Sequence, residues 1–310
     1  MIHQFHTSFA GLPVFDLTDT TAAGELPAAD AVAWRIRLDD YVDEFDPWRE
    51  LFGTFTERVD TTRVRALLLG NWGNTYDVES TEPLALLTGA AERFPALHAV
   101  FVAEYLQEET EISWINHGDL TPLFTAFPKL TEVVVRGGIG LRFDPLKSTV
   151  LRDLRFESGG LPARVVQALG ASELPALETL QLWLGVDEYG GDSTVEDLAP
   201  LLSGERLPAL RDLGLQNSPQ ADQIAAAVAA APVVARLERL SLAMGSLSDE
   251  GAEALLSGQP LTHLAGLDLH HHYLSDAMME RIKAALPGVQ VNVDDQRDLE
   301  DDWRYVEVSE

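Results

Sequence analysis

One phrase, P-x-L-x-x-L-x-L, recurs along the chain and constrains its fold more than any other feature. It appears four times with its proline, and four variants without the proline keep the same apolar frame. The intervals between successive copies range from 21 to 33 residues, and the first apolar positions of the eight copies are Val64, Leu97, Leu130, Leu151, Leu177, Leu210, Leu237 and Leu264. Such self-similarity at a regular period predicts stacked repeats.

Each copy of the phrase predicts a short β-strand. In L-x-L the two apolar side chains point to one face of a strand, and the residue between them points to the other. One face therefore belongs to a core and the other to a surface. Two weaker copies flank the eight, AWRIRL near Ala33 and PGVQVNV near Pro287.

The segments between the strands have the apolar spacing of helices. Examples are TVEDLAPLLSG from Thr194, SPQADQIAAAVAAA from Ser218 and LSDEGAEALLSG from Leu247. Serine precedes several of these runs, as at Ser248 and Ser275, which is typical of helix N-caps. Each unit is then a strand, a turn, a helix and a return. A unit this small cannot bury its own apolar face, so neighbours must stack.

An ordinary doubly wound α/β domain would also alternate strands with helices, and it is the alternative fold. Recurrence of the same strand phrase favours a solenoid. The L-x-x-L-x-L strands and helical returns such as LSDEGAEALL resemble the ribonuclease-inhibitor type of leucine-rich repeat over about Thr61 to Val293. This resemblance implies an α/β right-handed horseshoe or arc, with a parallel sheet on the concave face, helices on the convex face and capped ends.

The whole chain, including its closing RYVEVSE, is also similar to an uncharacterised family of bacterial leucine-rich-repeat proteins. That likeness implies no known activity. We therefore divide the chain into an N-terminal cap over residues 1–30, a solenoid of about nine to ten units over 31–293, and an acidic C-terminal tail or cap over 294–310. In the last segment we expect the acidic part to be solvated and the aromatic end to fold back.

Composition narrows the classes of partner. The 50 acidic and 22 basic residues give a formal charge of -28, which would repel nucleic acid and anionic membrane surfaces. There is no cysteine, so disulfides, thiolate metal sites and cysteine nucleophiles are excluded. The N-terminus does not read as a signal peptide, and the longest apolar stretch, Ile224 to Ala235, is short for a bilayer span and contains Pro232. A cytoplasmic location is expected.

Catalytic motifs are missing. The sequence has no G-x-S-x-G elbow, no H-E-x-x-H and no glycine loop for phosphate or dinucleotide. We therefore expect a non-catalytic scaffold or adaptor that binds a protein or peptide on the concave strand face, without a cofactor. The alternatives are a substrate-recruiting accessory subunit of a separately encoded enzyme and, less favoured, a cryptic metal-assisted hydrolase. The sequence carries no signal for an oligomeric state.

One region of the concave face stands out as a candidate partner contact. It combines aromatic and apolar residues with a charged stripe, which is the composition of interface centres. The alternatives are that the N-terminal segment covers the aromatics and that the opposite charges pair with each other. Trp183, on a later strand, is added to this region. The candidate residues are Phe101, Tyr105, Glu132, Val134, Arg136, Asp153, Arg155, Glu157 and Trp183.

The run His270, His271, His272 beside Asp268 raises the question of a metal site, because imidazole and carboxylate are common ligands. Consecutive residues on a strand face opposite ways, so the three rings cannot converge without a turn. A loop-exposed histidine cluster is therefore preferred, with Asp268, His270 and His272 kept as weak metal candidates.

Overall fold

The structure is a computed structural model that describes residues 3–18, 21–40, 42–299 and 303–310. The chain divides into two compact units, Met1–Asp144 together with Glu310, and Pro145–Ser309. We call them unit 1 and unit 2. The predicted N-terminal cap includes residues 1, 2, 19 and 20, and the predicted acidic tail includes residues 300–302. Those parts of the two predictions lie outside the described residues.

Unit 1 is a row of strands that alternate with helices. A short antiparallel hairpin joins the first two strands, and the remaining pairs are parallel and follow the order of the chain. The strands are β1 (Ser8–Phe9), β2 (Leu12–Leu17), β3 (Ala33–Ile36), β4 (Ala66–Leu69), β5 (Ala99–Val102) and β6 (Glu132–Arg136). The α-helices are α1 (Asp46–Arg58), α2 (Thr81–Gly89) and α3 (Thr121–Ala126).

Unit 2 repeats the alternation with parallel strands only, again paired in chain order. The strands are β7 (Asp153–Glu157), β8 (Thr179–Trp183), β9 (Asp212–Gln216), β10 (Arg239–Ser241), β11 (Gly266–Asp268) and β12 (Gln290–Asn292). The α-helices are α4 (Ala163–Ala171), α5 (Val195–Ser203), α6 (Ala221–Ala229), α7 (Asp249–Ser257) and α8 (Asp276–Ala285).

The predicted strands and their inward register are confirmed. All eight anchor positions of the repeated phrase are almost fully buried. In β7 and β8 buried and half-buried residues alternate along the strand, as one core face and one open face require. Equivalent apolar positions pair across neighbouring strands, for example Leu180 with Leu213 and Leu213 with Leu240. The chain is thus an α/β protein in which parallel strands alternate with helices.

The predicted helix boundaries agree with the structure at most caps. Thr194 and Asp197 form a reciprocal capping box at the start of α5, and Gly204 ends that helix with φ of 68°. Ser248 and Ser275 cap α7 and α8 through their side chains. The predicted start at Ser218 is early, because α6 begins at Ala221.

The turns after β9, β10, β11 and β12 share one geometry although their residue type changes. Asn217, Met244, His271 and Asp295 each follow the first residue of their strand by five positions, and all four have φ between 54° and 67°. Left-handed backbone is uncommon outside glycine. The repeat therefore conserves a backbone turn rather than one side chain at this position.

Strand β2 was not expected, since the N-terminal residues show no sustained period. It pairs in parallel with β3, from Val14 opposite Ala33 to Leu17 opposite Ile36. The turn that leads into it contains Ala10 and Gly11, both in left-handed backbone, which suits a two-residue hairpin. None of the helices in the described residues is long and apolar enough to span a membrane.

Candidate functional site

The strand register places a row of polar side chains on one side of the sheet in unit 2. We call this the open face of unit 2, defined by the strand positions whose side chains point away from the buried leucines. Successive strands bring these positions into register, so that Arg155 pairs with Gln181, Gln181 with Gly214, and Gly214 with Ser241. The face consists of Asp153, Arg155, Glu157, Thr179, Gln181, Trp183, Asp212, Gly214, Gln216, Arg239, Ser241, Gly266, Asp268, Gln290 and Asn292, with His270 just beyond β11.

Hydrogen bonds between side chains hold the middle of this face in order. The indole of Trp183 donates to Gln216 Oε1 at 3.1 Å, and Gln216 Nε2 donates to Ser241 Oγ at 2.7 Å. Gln216 thereby uses one donor and one acceptor of its amide. An amide side chain has two donor hydrogens and two acceptor lone pairs. One donor hydrogen and one lone pair are left for a ligand.

A second chain of bonds runs along the edge where the strands begin. Gln181 Nε2 donates to Asp212 Oδ1 at 2.8 Å, and Arg239 Nε donates to Asp212 Oδ2 at 2.6 Å. On β7 the Arg155 guanidinium makes a two-point contact with Asp153, at 2.7 and 2.6 Å. Two of the predicted site residues thus pair with each other along one strand, whereas the alternative interpretation had opposite charges on adjacent strands pair.

Small residues make a depression between these rows. Ser241 on β10 and Gly266 on β11 leave room above the strands, whereas the Gln181 side chain occupies the space over Gly214. The resulting groove has a volume of about 340 Å³. It is lined by Gln181, Asp212, Gln216, Arg239, Leu240, Ser241, Gly266, Leu267, Asp268, Gln290 and Asn292.

His270 lies where the strand ends border this groove and is held between two carboxylates. Its Nδ1 is 3.0 Å from Asp268 Oδ1 and its Nε2 is 3.3 Å from Glu307 Oε2. The contact with Asp268 and then that with Glu307 raise the pKa of His270 to about 10. The bond to His270 in turn lowers the pKa of Glu307. At neutral pH the imidazolium therefore offsets part of the acidic charge around the groove.

The other two histidines of the run have separate structural roles. His271 contacts Asp295 through Nδ1 and donates from Nε2 to the Tyr305 carbonyl. His272 is fully buried, donates from Nε2 to the Val293 carbonyl and accepts at Nδ1 from Leu274 N–H. Burial lowers the pKa of His272. Within the described residues no group of three or more His, Asp or Glu side chains is arranged to hold a metal ion.

The last residues of the chain fold back over the turns of unit 2. Val308 is 3% exposed, donates its N–H to Asn217 Oδ1 at 3.0 Å, and accepts at its carbonyl from Asn217 Nδ2. Glu307 N–H bonds to the Met244 carbonyl at 2.9 Å. We call residues 304–309 the C-terminal strap. The two valines of this end, Val306 and Val308, are buried, whereas its aromatic residues Trp303 and Tyr305 are 68% and 55% exposed.

In unit 1 the structure corrects the expectation of an exposed aromatic patch. Phe101, Tyr105, Val134 and Arg136 are each between 1% and 4% exposed. The Arg136 guanidinium lies over the Phe101 ring, 5.0 Å from its centroid, and donates to the Tyr105 carbonyl. Glu132 is half-buried on β6. The N-terminal segment covers Phe101, whose ring contacts those of His6 and Phe9, whereas Tyr105 packs against Trp72.

The cover is the segment of residues 3–9, which we call the N-terminal segment. Phe9 packs into an apolar cluster on the face of β3 to β6, and its ring centroid lies 6.1 Å from that of Phe101. His6 bonds to Glu104 and Arg35 just beyond this cluster. The cluster consists of Phe9, Ala33, Ala66, Leu68, Ala99, Phe101 and Val134.

Of the predicted site residues, the structure leaves those of unit 2 accessible. Asp153, Arg155, Glu157 and Trp183 are half-buried on β7 and β8. Sequence reasoning placed Gln181 and Gln216 on the same face without selecting them. The strand register could have identified them. It aligns these polar residues with small residues on the neighbouring strands, and small residues on a sheet face leave a depression.

Comparison with known proteins finds similarity to a protein of known structure. No family model matches the sequence, and no curated protein matches it. The chain is similar to a protein from Bacteroides fragilis whose crystal structure is known, with 28% sequence identity and a TM-score of 0.78. The match covers 87% of this chain and 77% of that one. Fold and site together define an α/β protein of strand-helix units with a polar groove on the open face of unit 2.

Proposed function

We propose that this protein is a non-catalytic scaffold or adaptor that holds a protein or peptide segment on the open face of unit 2. The observation that carries the proposal is the pre-ordered polar groove beside Trp183, whose indole is fixed by Gln216. Side chains already ordered in the free protein lose little entropy on binding. Tryptophan and arginine are enriched at the centres of interfaces, and Trp183 and Arg155 lie on this face.

The groove suits an extended polypeptide because its amides match peptide groups. A peptide group offers one donor and one acceptor, and Gln216 keeps one of each after its bonds to Trp183 and Ser241. The Asn292 amide donates to Asp268 at 2.9 Å and accepts from the Asp294 N–H at 3.1 Å, which leaves one donor hydrogen and one lone pair. The amides on β9 and β12 flank the small residues of the groove. The main chain of a peptide that crosses the strands can bond first to one of these amides and then to the other.

The pairing of charged side chains in the groove favours a ligand segment that is polar and largely uncharged. Asp212 is neutralised by Arg239, and Asp268 by His270. A charged ligand group in this groove would compete with these two pairs, whereas a neutral polar group would leave them intact. The net charge of -28 argues against nucleic acid and membrane surfaces as partners.

The proposal includes the finer fold class, a leucine-rich-repeat solenoid of the ribonuclease-inhibitor type. Burial of the eight anchors, their regular recurrence and the repeated left-handed turn after the strand support it. The open face then corresponds to the concave face of that class. The β1–β2 hairpin and the C-terminal strap act as its caps, and a cytoplasmic location accords with the absence of cysteine.

The test begins with capture of the partner. A photo-crosslinking amino acid is placed at Thr179, on the open face at the start of β8, and crosslinked partners from the native cell are identified by mass spectrometry. The purified partner is then titrated against Trp183→Ala and against Trp303→Ala, an exposed tryptophan outside the groove. We expect at least a tenfold loss of affinity, about 1.4 kcal/mol, for the first variant only. Equal affinity of the two variants would contradict the proposal.

A further inference from the structure

Unit 1 has an open face of its own, on which Phe9 packs against apolar residues of β3 to β6. We propose that the open face of unit 1 is a peptide-binding groove, filled in this structure by the protein's own N-terminal segment. We further propose that a partner's extended segment with two aromatic residues four positions apart takes the place of residues 3–9. The contacts of the N-terminal segment define the chemistry of that ligand.

The floor of this groove is built to receive a large apolar side chain. Ala66 and Ala99 pair on neighbouring strands, and Ala33 lies on the strand before them. Phe9 packs there and is 5% exposed. Among the equivalent first positions of the strands in unit 2, Thr179 and Asp212 are polar. Short apolar residues in unit 1 therefore form a pocket that would expose a contiguous apolar patch if it were left empty.

A charged pair next to this pocket recognises main chain. Glu104 Oε1 accepts the N–H of His6 at 2.9 Å, and Arg35 Nη2 donates to the carbonyl of His6 at 2.6 Å. Arg35 Nε also donates to Glu104 Oε2 at 2.6 Å, so the two side chains orient each other. These bonds involve peptide groups, so this part of the site accepts many sequences.

The side chain of Glu104 is completely buried, and it needs the bonds that the segment supplies. Burial alone would raise its pKa, but the bonds from His6 and Arg35 outweigh burial and hold the pKa below its usual value. A buried carboxylate with several donors is a stable acceptor for a ligand N–H. The fold therefore keeps a charged acceptor at the point where the ligand's main chain passes.

The second aromatic position is filled by Phe5. Its ring lies 4.5 Å from the Arg35 guanidinium and 4.8 Å from that of Arg37. Cation–π contacts of this kind favour an aromatic side chain over an aliphatic one. Phe5 and Phe9 thus specify aromatic residues at positions i and i+4 of the ligand. The main-chain N–H and carbonyl of position i+1, here His6, bond to Glu104 and Arg35.

The N-terminal segment has the properties of a bound peptide. Its side chains at Gln4, Thr7 and Ser8 are exposed, while Phe5, His6 and Phe9 contact unit 1 and His3 bonds to Glu108. It joins the rest of unit 1 through the turn at Ala10 and Gly11. Tethering gives such a segment a high effective concentration, in the millimolar range for short connections, and a free ligand must compete with it.

The experiment weakens the binding of the N-terminal segment to its groove in the full-length protein. The same segment is then added as a separate peptide. A fluorescein-labelled peptide of residues 3–12, HQFHTSFAGL, carries the proposed ligand chemistry. Its binding to wild type and to Phe9→Asp is measured by anisotropy. A carboxylate cannot remain in the alanine pocket, so the segment should leave it. We expect the variant to bind the peptide at least tenfold more tightly than wild type, in which the tethered segment competes.

Control measurements distinguish binding at this site from nonspecific binding of the peptide to the protein. A peptide with alanine at both phenylalanine positions should bind at least tenfold more weakly. Glu104→Gln in the Phe9→Asp background should weaken binding, whereas Glu92→Gln, an exposed residue of unit 1, should not. Phe9→Ala is measured in parallel and provides the test if the aspartate variant does not fold.

Three results would overturn the proposal. The folded variants could bind the peptide no better than wild type does, or the alanine peptide could bind as well as the native one. A complex of Phe9→Asp with wild-type protein, detected by light scattering at micromolar concentration, would show that the groove receives a second copy of this chain. Enhanced binding of the native peptide alone, without such a complex, supports the assignment to a partner segment.

Discussion

Asn217 joins the turn after β9 to the C-terminal strap, and its replacement gives a sharp test of that arrangement. The residue is fully buried, with φ of 57°. Its side chain bonds to both the N–H and the carbonyl of Val308 and donates to the Ser158 carbonyl at 3.3 Å. Asn217→Gly keeps the left-handed backbone accessible but removes all three bonds. Asn217→Ala removes the bonds and also places an unfavourable residue at that φ.

The magnitudes follow from these contacts. At about 1 kcal/mol for each bond, Asn217→Gly should lower the free energy of unfolding by about 3 kcal/mol. Asn217→Ala should cost about 1 kcal/mol more, because left-handed backbone disfavours residues with a Cβ. Urea unfolding followed by circular dichroism measures both values. Losses below about 1 kcal/mol for both variants would refute the claim that Asn217 anchors the strap.

Two further predictions concern the strap and the core. His270→Gln should reduce the melting temperature most below pH 6.5 and progressively less as the pH rises through about 10, because the raised pKa of His270 stabilises the folded state only while the ring is charged. A difference in melting temperature that stays constant from pH 6 to 10 would contradict this. Leu213→Ala should cost about 3 kcal/mol in urea unfolding, since Leu213 is fully buried in register with Leu180 and Leu240; a cost below about 1 kcal/mol would mean that the register is wrong.

The repeat could be predicted from sequence because its determinants are local. Leu177, Leu180 and Leu182 lie within one strand phrase, and their spacing alone places them on the buried side. The same argument placed Gln181 and Trp183 on the opposite side. Strand register then followed from aligning one copy of the phrase with the next.

The burial of Phe101 could not be predicted in the same way. Its cover is supplied by Phe9, more than ninety residues earlier in the chain, in a segment without periodicity. The histidine run posed a similar difficulty. Alternation along a strand correctly separates the rings, but the left-handed turn at His271 and the position of Glu307 decide which ring borders the groove. Long-range contacts of terminal segments leave no local pattern.

The binding account is tested most directly by filling the groove of unit 2. A Cβ at Gly266 would meet only ordinary contacts, 3.7 Å from Arg239 Cγ and 3.8 Å from the Gln290 carbonyl oxygen. Gly266→Tyr should therefore fold and project its ring into the 340 Å³ groove. Gly89→Tyr, at the end of α2 with nothing within 4 Å of its Cβ, is the matched control.

The measurement is the affinity of the purified, crosslink-identified partner for these two variants by isothermal titration calorimetry. The account predicts at least a tenfold loss for Gly266→Tyr, about 1.4 kcal/mol, and no change for Gly89→Tyr. Equal affinity of the two variants, with Gly266→Tyr correctly folded, would contradict binding on the open face of unit 2.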